Sequence, residues 1–161
     1  MWPFKKKRPR ITARQFAVAL DELSYRCASD FLPQFREQAG NELRPADDSL
    51  SVLREELLIA HLWCMSRVLE GEKPTLDLLH ETYFAARPAS AKPHLVARYE
   101  SYYDAWRPED GGTLGAVMAS HLLGRQGPVL DAMLTFPVQS HAQNFMLSVL
   151  ELRGSYGAID A

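Results

Sequence analysis

The architecture of this chain follows from residues 48–69, which read DSLSVLREELLIAHLWCMSRVL. Asp48 and Ser49 supply material for a helix N-cap, and the two glutamates of the early turns lie where a helix favours negative charge. Gly71 and Pro74 follow the stretch and cannot continue it. The sequence therefore predicts one long helix over residues 48–69.

Apolar residues occupy two sides of this predicted helix. At about 100° per residue, the broader face contains Leu50, Leu53, Leu57, Leu58, His61, Cys64, Met65 and Val68. A second, narrower stripe contains Val52, Ile59 and Trp63. A helix with two apolar stripes is usually packed on both sides. We therefore expect the other helices to surround residues 48–69.

The remaining chain also shows helical spacing of its apolar residues. We predict helices that begin at the caps Thr12, Thr75 and Thr113, a helix over 94–106, and a last helical region that ends at Gly154. Pro33 predicts a kink or break near residues 29–32 of the first of these segments, and Pro137 is predicted to divide the last one. The inward face predicted after the second proline contains Val138, Ala142, Phe145, Met146, Val149 and Leu150.

These patterns predict an all-α fold, a single-domain bundle of about six helices around the central helix 48–69. The bundle covers residues 11–154, after a flexible basic arm over 1–10 and before a loose C-terminal tail over 155–161. The apolar fraction of 47% and the charged fraction of 24% are ordinary for a globular chain. No apolar run approaches the roughly 18 residues of a membrane span. The two cysteines form no disulfide framework, so a reducing, cytoplasmic setting is expected.

Charge is divided unevenly along the chain. The first ten residues hold five of the 18 Lys and Arg and no acid, and the remaining 13 basic residues face all 20 acidic ones. A body of net charge −7 repels phosphate backbones, so we expect no nucleic-acid partner. The arm could fold back on this body, or it could make weak, reversible contact with an anionic membrane. The residues of that contact would be Trp2, Phe4, Lys5, Lys6, Lys7, Arg8 and Arg10.

His61 and Cys64 are the most suggestive pair for a metal, because a spacing of three on a helix points both side chains the same way. Cys27 and His121 also lie among apolar residues at helical spacing. Paired ligand motifs are missing, however, and a buried Cys commonly behaves as a small hydrophobe. We therefore predict no metal and no cofactor. An enzyme is the third hypothesis, because no catalytic constellation is recognisable.

The function that the sequence favours is a non-catalytic interaction, adaptor or regulatory module that acts through protein contacts. Its predicted face for a partner or for self-association contains Val52, Ile59 and Trp63. The alternative is a small apolar ligand in a pocket between helices. That pocket would be lined by His61, Tyr99, Tyr103 and His121.

Overall fold

We describe a computed structural model of the chain, which covers residues 8–43, 50–107, 109–110 and 112–161. Six α-helices form this part of the chain. They are α1 Ala13–Ala39, α2 Leu50–Val68, α3 Lys73–Ala85, α4 Lys92–Ala105, α5 Leu114–Leu122 and α6 Ala132–Gly154. Short 3-10 helices cover Gly40–Glu42 and Ala89–Ala91. The predicted all-α bundle of about six helices is confirmed.

Helix α2 is the centre of the bundle, as the two apolar stripes predicted. It contacts each of the other five helices. Every residue from 57 to 66 is buried, so the helix has no solvent-facing side over nearly three turns. Burial of this stretch supplies much of the apolar area that stabilises the fold.

Helix α1 begins and ends with the signals that the sequence contains. The Thr12 side chain accepts a hydrogen bond from the backbone N–H of Gln15, and the Gln15 side chain accepts one from the Thr12 backbone, which makes a capping box. Gly40 ends the helix with a positive φ of 48°, a conformation that favours glycine. Of the kink or break expected near Pro33, the break is wrong, because α1 continues through the proline. Leu32 and Phe35 on either side are buried in the core, which holds the helix together across the proline.

Helix α6 also continues through its proline, so the predicted division at Pro137 is wrong as well. A proline lacks an N–H and leaves the carbonyl four residues earlier without its helical partner. That carbonyl belongs to Met133, and the Nε2 atom of Gln38 donates to it at 2.5 Å. A side chain of α1 therefore replaces the hydrogen bond that Pro137 removes.

The third and fourth helices begin earlier than predicted. Helix α3 starts at Lys73 with Pro74 in its first turn, and α4 starts at Lys92 with Pro93 in its first turn. A proline is well tolerated there because the first N–H groups of a helix have no partner within it. Thr75, which we expected to be a cap, lies within α3 and is fully buried.

The two ends of the described chain pair as a short parallel sheet. Strand β1 is Arg10–Thr12 and strand β2 is Ala158–Asp160, in register from Arg10 opposite Ala158. The Arg10 guanidinium donates to the Asp160 carboxylate at 2.5 Å. The pair lies against α1, which ties the C-terminal residues to the start of the bundle.

This sheet corrects the prediction of a loose tail over 155–161, because residues 158–160 form an ordered strand. It also places Arg10 in a strand and not in a flexible arm, while Arg8 is exposed. The other arm residues proposed for an anionic contact lie outside the described residues: Trp2, Phe4, Lys5, Lys6 and Lys7. In the described ranges, none of the helices combines the length and apolar character that crossing a bilayer demands.

Candidate functional site

The predicted partner face on α2 is mostly inside the bundle. Ile59 and Trp63 are fully buried, whereas Val52 is 43% exposed. The Trp63 ring packs at 5.7–6.0 Å, centroid to centroid, against three aromatic rings of the α4 segment. Those rings belong to Tyr102, Tyr103 and Trp106. The assignment of Ile59 and Trp63 to a surface is therefore wrong, because α4 covers the second stripe of α2.

The four residues of the predicted ligand pocket are divided among three hydrogen-bonded groups, of which only one contains two of them. The Tyr99 hydroxyl lies 3.2 Å from Nε2 of His80 and 3.4 Å from the Tyr103 hydroxyl. The Tyr102 hydroxyl lies 2.8 Å from Nδ1 of His121. Burial raises the pKa of Tyr102 and lowers the pKa of His121 to about 4. The neutral hydroxyl and the neutral ring therefore share this hydrogen bond, and both groups are satisfied within the protein.

His61, the fourth predicted pocket residue, belongs to a buried chain of three side chains. Its Nδ1 lies 3.0 Å from the hydroxyl of Ser24, and its Nε2 lies 2.9 Å from Nε2 of His141. The His61 ring stacks on Phe145 and the His141 ring stacks on Phe31. The chain of hydrogen bonds therefore joins α1, α2 and α6 through the middle of the core.

Burial keeps both of these histidines neutral. It lowers the pKa of His61 well below its ordinary value, with a further contribution from His141, and it lowers the pKa of His141 to about 4. Two neutral rings share one hydrogen bond, in which one Nε2–H donates and the other Nε2 accepts. The arrangement satisfies polar groups that would be costly to bury without partners.

The predicted metal pair does not form a ligand set. His61 is directed to His141, and burial raises the pKa of the Cys64 thiol, so it stays protonated and is a poor ligand. Across the described residues there is no group of three or more His, Cys, Asp or Glu side chains that could hold a metal ion. Cys27 is half-buried and free.

Acidic residues of α2 that could serve an enzyme are bound to arginines. Nε of Arg87 donates to Glu55 at 2.8 Å, and its guanidinium lies 3.4 Å from the centroid of the Tyr83 ring. Arg98 pairs with Glu56 at 3.3 Å. These contacts fasten α3 and α4 to the first half of α2. Both glutamates therefore have a structural role as partners of these arginines.

One small cavity between α1, α2 and α3 reaches the buried serine. It has a volume of about 100 Å³ and is lined by Asp21, Ser24 and Tyr25, among others. Small-molecule sites are typically about 300–1,000 Å³. The Ser24 side chain is 2% exposed and already bonded to His61, so the cavity presents no accessible nucleophile.

The exposed side of α6 has an unusual composition. Residues 132–150 contain no Asp, Glu, Lys or Arg, although the helix packs only its inner side on α1, α2 and α5. Large apolar side chains stand on the outer side, where Met133 is 70%, Phe136 is 73% and Leu147 is 58% exposed. Leu150 is 46% exposed, so its predicted inward position is wrong. We use the name α6 outer face for the stripe of Met133, Phe136, Ser140, Gln143, Leu147 and Leu150.

Leu130 extends this face beyond the helix start and is 92% exposed. The outer side of a surface helix ordinarily carries charged residues, and clusters of exposed apolar side chains mark interaction sites. The sequence did not reveal the α6 outer face, because apolar residues at helical spacing were interpreted as core positions. The signal that could have identified this face is the absence of Asp, Glu, Lys and Arg over the 19 residues 132–150. Burial of one side of a helix requires uncharged residues on that side only.

The chain matches no protein-family model, and comparisons with curated proteins and with solved structures returned no significant match. The chemistry of the α6 outer face is therefore the basis for assigning a function.

Proposed function

We propose that this protein is a non-catalytic interaction module that binds a protein partner through the α6 outer face. The observation that carries the proposal is the combination of exposure and charge depletion on that face. The cores of protein interfaces are depleted in charged residues and enriched in Phe and Met. The face contains both residue types, in Met133 and Phe136, and each is at least 70% exposed.

Two further observations support an interaction role over catalysis. The buried histidines are neutral and bonded inside the core, and the glutamates of α2 are paired with arginines. Both cysteines are free thiols, which is compatible with the reducing, cytoplasmic setting that the proposal includes.

Photo-crosslinking inside cells tests the proposal. A photoreactive phenylalanine analogue replaces Phe136 on α6 in one variant and Tyr25 on α1 in another, since both are exposed aromatic residues. We expect a discrete protein adduct from position 136 and none from position 25. Equal labelling from both positions, or no adduct from position 136, would contradict the proposal.

A further inference from the structure

We infer that the partner is a second copy of this chain. The two copies bind through their α6 outer faces with the α6 helices antiparallel. The two-fold axis passes between the two helices at the level of His141 and Ala142. This inference rests on the proposed function and names its partner. It depends on three properties of the face: its symmetry, its charge and its size.

The α6 outer face has the same pattern when it is read from either end. A two-fold axis between residues 141 and 142 places Met133 opposite Leu150 of the second copy, Phe136 opposite Leu147, and Ser140 opposite Gln143. Apolar side chains therefore meet apolar side chains at both ends, and the two polar side chains meet near the axis. A closed dimer needs such a surface, because the same patch must be complementary to itself.

The polar pair near the axis gives the dimer one preferred register. Ser140 and Gln143 of each copy can exchange hydrogen bonds with Gln143 and Ser140 of the other. A shift by one helical turn toward the N-terminus of α6 would place the Gln143 amide opposite Phe136 of the other copy, without a partner. A single polar position performs the same task in coiled coils.

The absence of charge on the face is also compatible with a second copy of it as the partner. In a symmetric dimer the same surface of each copy forms the interface, so any charged side chain on it would approach like charges of the other copy. Residues 132–150 contain no Asp, Glu, Lys or Arg, so this repulsion does not arise among them. The same axis brings the α5 side of one copy next to the α5 side of the other, and α5 also lacks Asp, Glu, Lys and Arg. The charged residues next to the face are Asp131, the N-cap of α6, and Glu151, which the axis places near Ala132 of the other copy. That position is a helix N-terminus, where negative charge is favoured.

The size of the face is close to what a stable dimer requires. If a large apolar side chain offers about 150–200 Å² when fully exposed, then the exposed side chains of Leu130, Met133, Phe136, Leu147 and Leu150 present roughly 600 Å² per copy. Standard interfaces bury about 800 Å² per partner. The polar residues of the stripe, of which Gln143 is exposed, add to this area.

Single cysteines test the arrangement in the full chain, with the half-buried Cys27 replaced by alanine. Residues near the axis lie close to their own copies, so Ser140→Cys should crosslink to itself with a short bismaleimide reagent. The two copies of residue 133 are separated by about 25 Å along the helix, so Met133→Cys alone should not crosslink. A mixture of Met133→Cys and Leu150→Cys should crosslink. Self-crosslinking of Met133→Cys would indicate a parallel dimer and would overturn the inference.

Sedimentation equilibrium gives the mass of the species in solution. We expect the unmodified chain to have twice the mass of one copy, and Leu147→Asp to raise the dissociation constant roughly a hundredfold, because a buried charge would lack a partner. Val18→Asp is the matched control, since Val18 is a similarly exposed aliphatic residue on α1. It should leave the dimer intact.

Three further results of these experiments overturn the inference and are distinguishable from one another. If the unmodified chain is a monomer while position 136 still captures a different protein in cells, the second copy is wrong and the proposed function stands. If the chain is a monomer and position 136 captures nothing, both fail. A dimer that Val18→Asp dissociates and Leu147→Asp does not would place the interface on α1.

Discussion

Helices α2 and α6 each contain a long stretch without Asp, Glu, Lys or Arg, but only α2 buries the whole of it. In α2 the uncharged residues 57–66 are enclosed by five other helices. In α6 the uncharged residues 132–150 face the core on one side and solvent on the other. The packing of one chain therefore explains the composition of α2 and explains only half of the composition of α6. The unexplained half is the α6 outer face.

The largest effect that separates the two helices is on the stability of the fold. Trp63→Ala removes a fully buried ring and should lower the free energy of unfolding by about 4 kcal/mol. Phe136→Ala removes a ring that is mostly exposed in one copy, and it should change the stability of the monomer by less than about 0.5 kcal/mol. Urea denaturation of both variants at low protein concentration measures the difference. Similar losses from both variants would mean that α6 is covered within the single chain.

The histidine pair that links α2 to α6 should make the fold sensitive to acid. The folded chain keeps His141 neutral with a pKa of about 4, whereas the unfolded chain takes up a proton near the ordinary value of 6.5. The unfolded state therefore binds more protons between these values, and stability is full above pH 6.5 and falls as the pH decreases toward 4. The loss is on the order of 3 kcal/mol for this one group.

Unfolding experiments as a function of pH measure this loss. His141→Gln should be less stable at neutral pH, because it disturbs the bond to His61, and it should show a shallower decline between pH 6.5 and 4. An unchanged slope in the variant would show that the acid sensitivity arises elsewhere.

A smaller effect concerns the proline that α6 tolerates. Gln38→Ala should cost about 1 kcal/mol, because the Met133 carbonyl loses the donor that replaces the missing N–H of Pro137. In a Pro137→Ala background that N–H is restored, so the same Gln38 substitution should cost much less. The coupling between the two sites is measured by a double-mutant cycle. Additive effects would contradict this explanation of the continuous helix.

The sequence predicted those features of the fold that depend on local patterns. The central helix, predicted over 48–69, is observed as Leu50–Val68, and Thr12 caps α1 as predicted. The breaks at Pro33 and Pro137 were wrong because a neighbouring helix or the core compensates for a proline, and neighbours cannot be read from local spacing. The three-residue strands were missed because β1 pairs with residues 148 positions away.

The candidate sites depended more on long-range contacts and were predicted less well. The stripe of Ile59 and Trp63 was correctly identified as apolar, but only the position of α4 shows that it is covered. His61 was paired with Cys64 three residues away, whereas its partner His141 lies on another helix. The α6 outer face has a clear sequence signal in its missing charges. That signal becomes informative once the inner side of the helix is known.

Hydroxyl-radical footprinting at increasing protein concentration tests the central claim most directly, because it reports the exposure of individual side chains. The account predicts that the reactivity of Met133, Phe136 and Leu147 falls as the concentration rises. Val18 and Tyr25, which are exposed on α1, should keep their reactivity. Constant reactivity of the α6 residues over the whole range, or an equal decrease on α1, would contradict the claim that α6 completes its burial against a second copy.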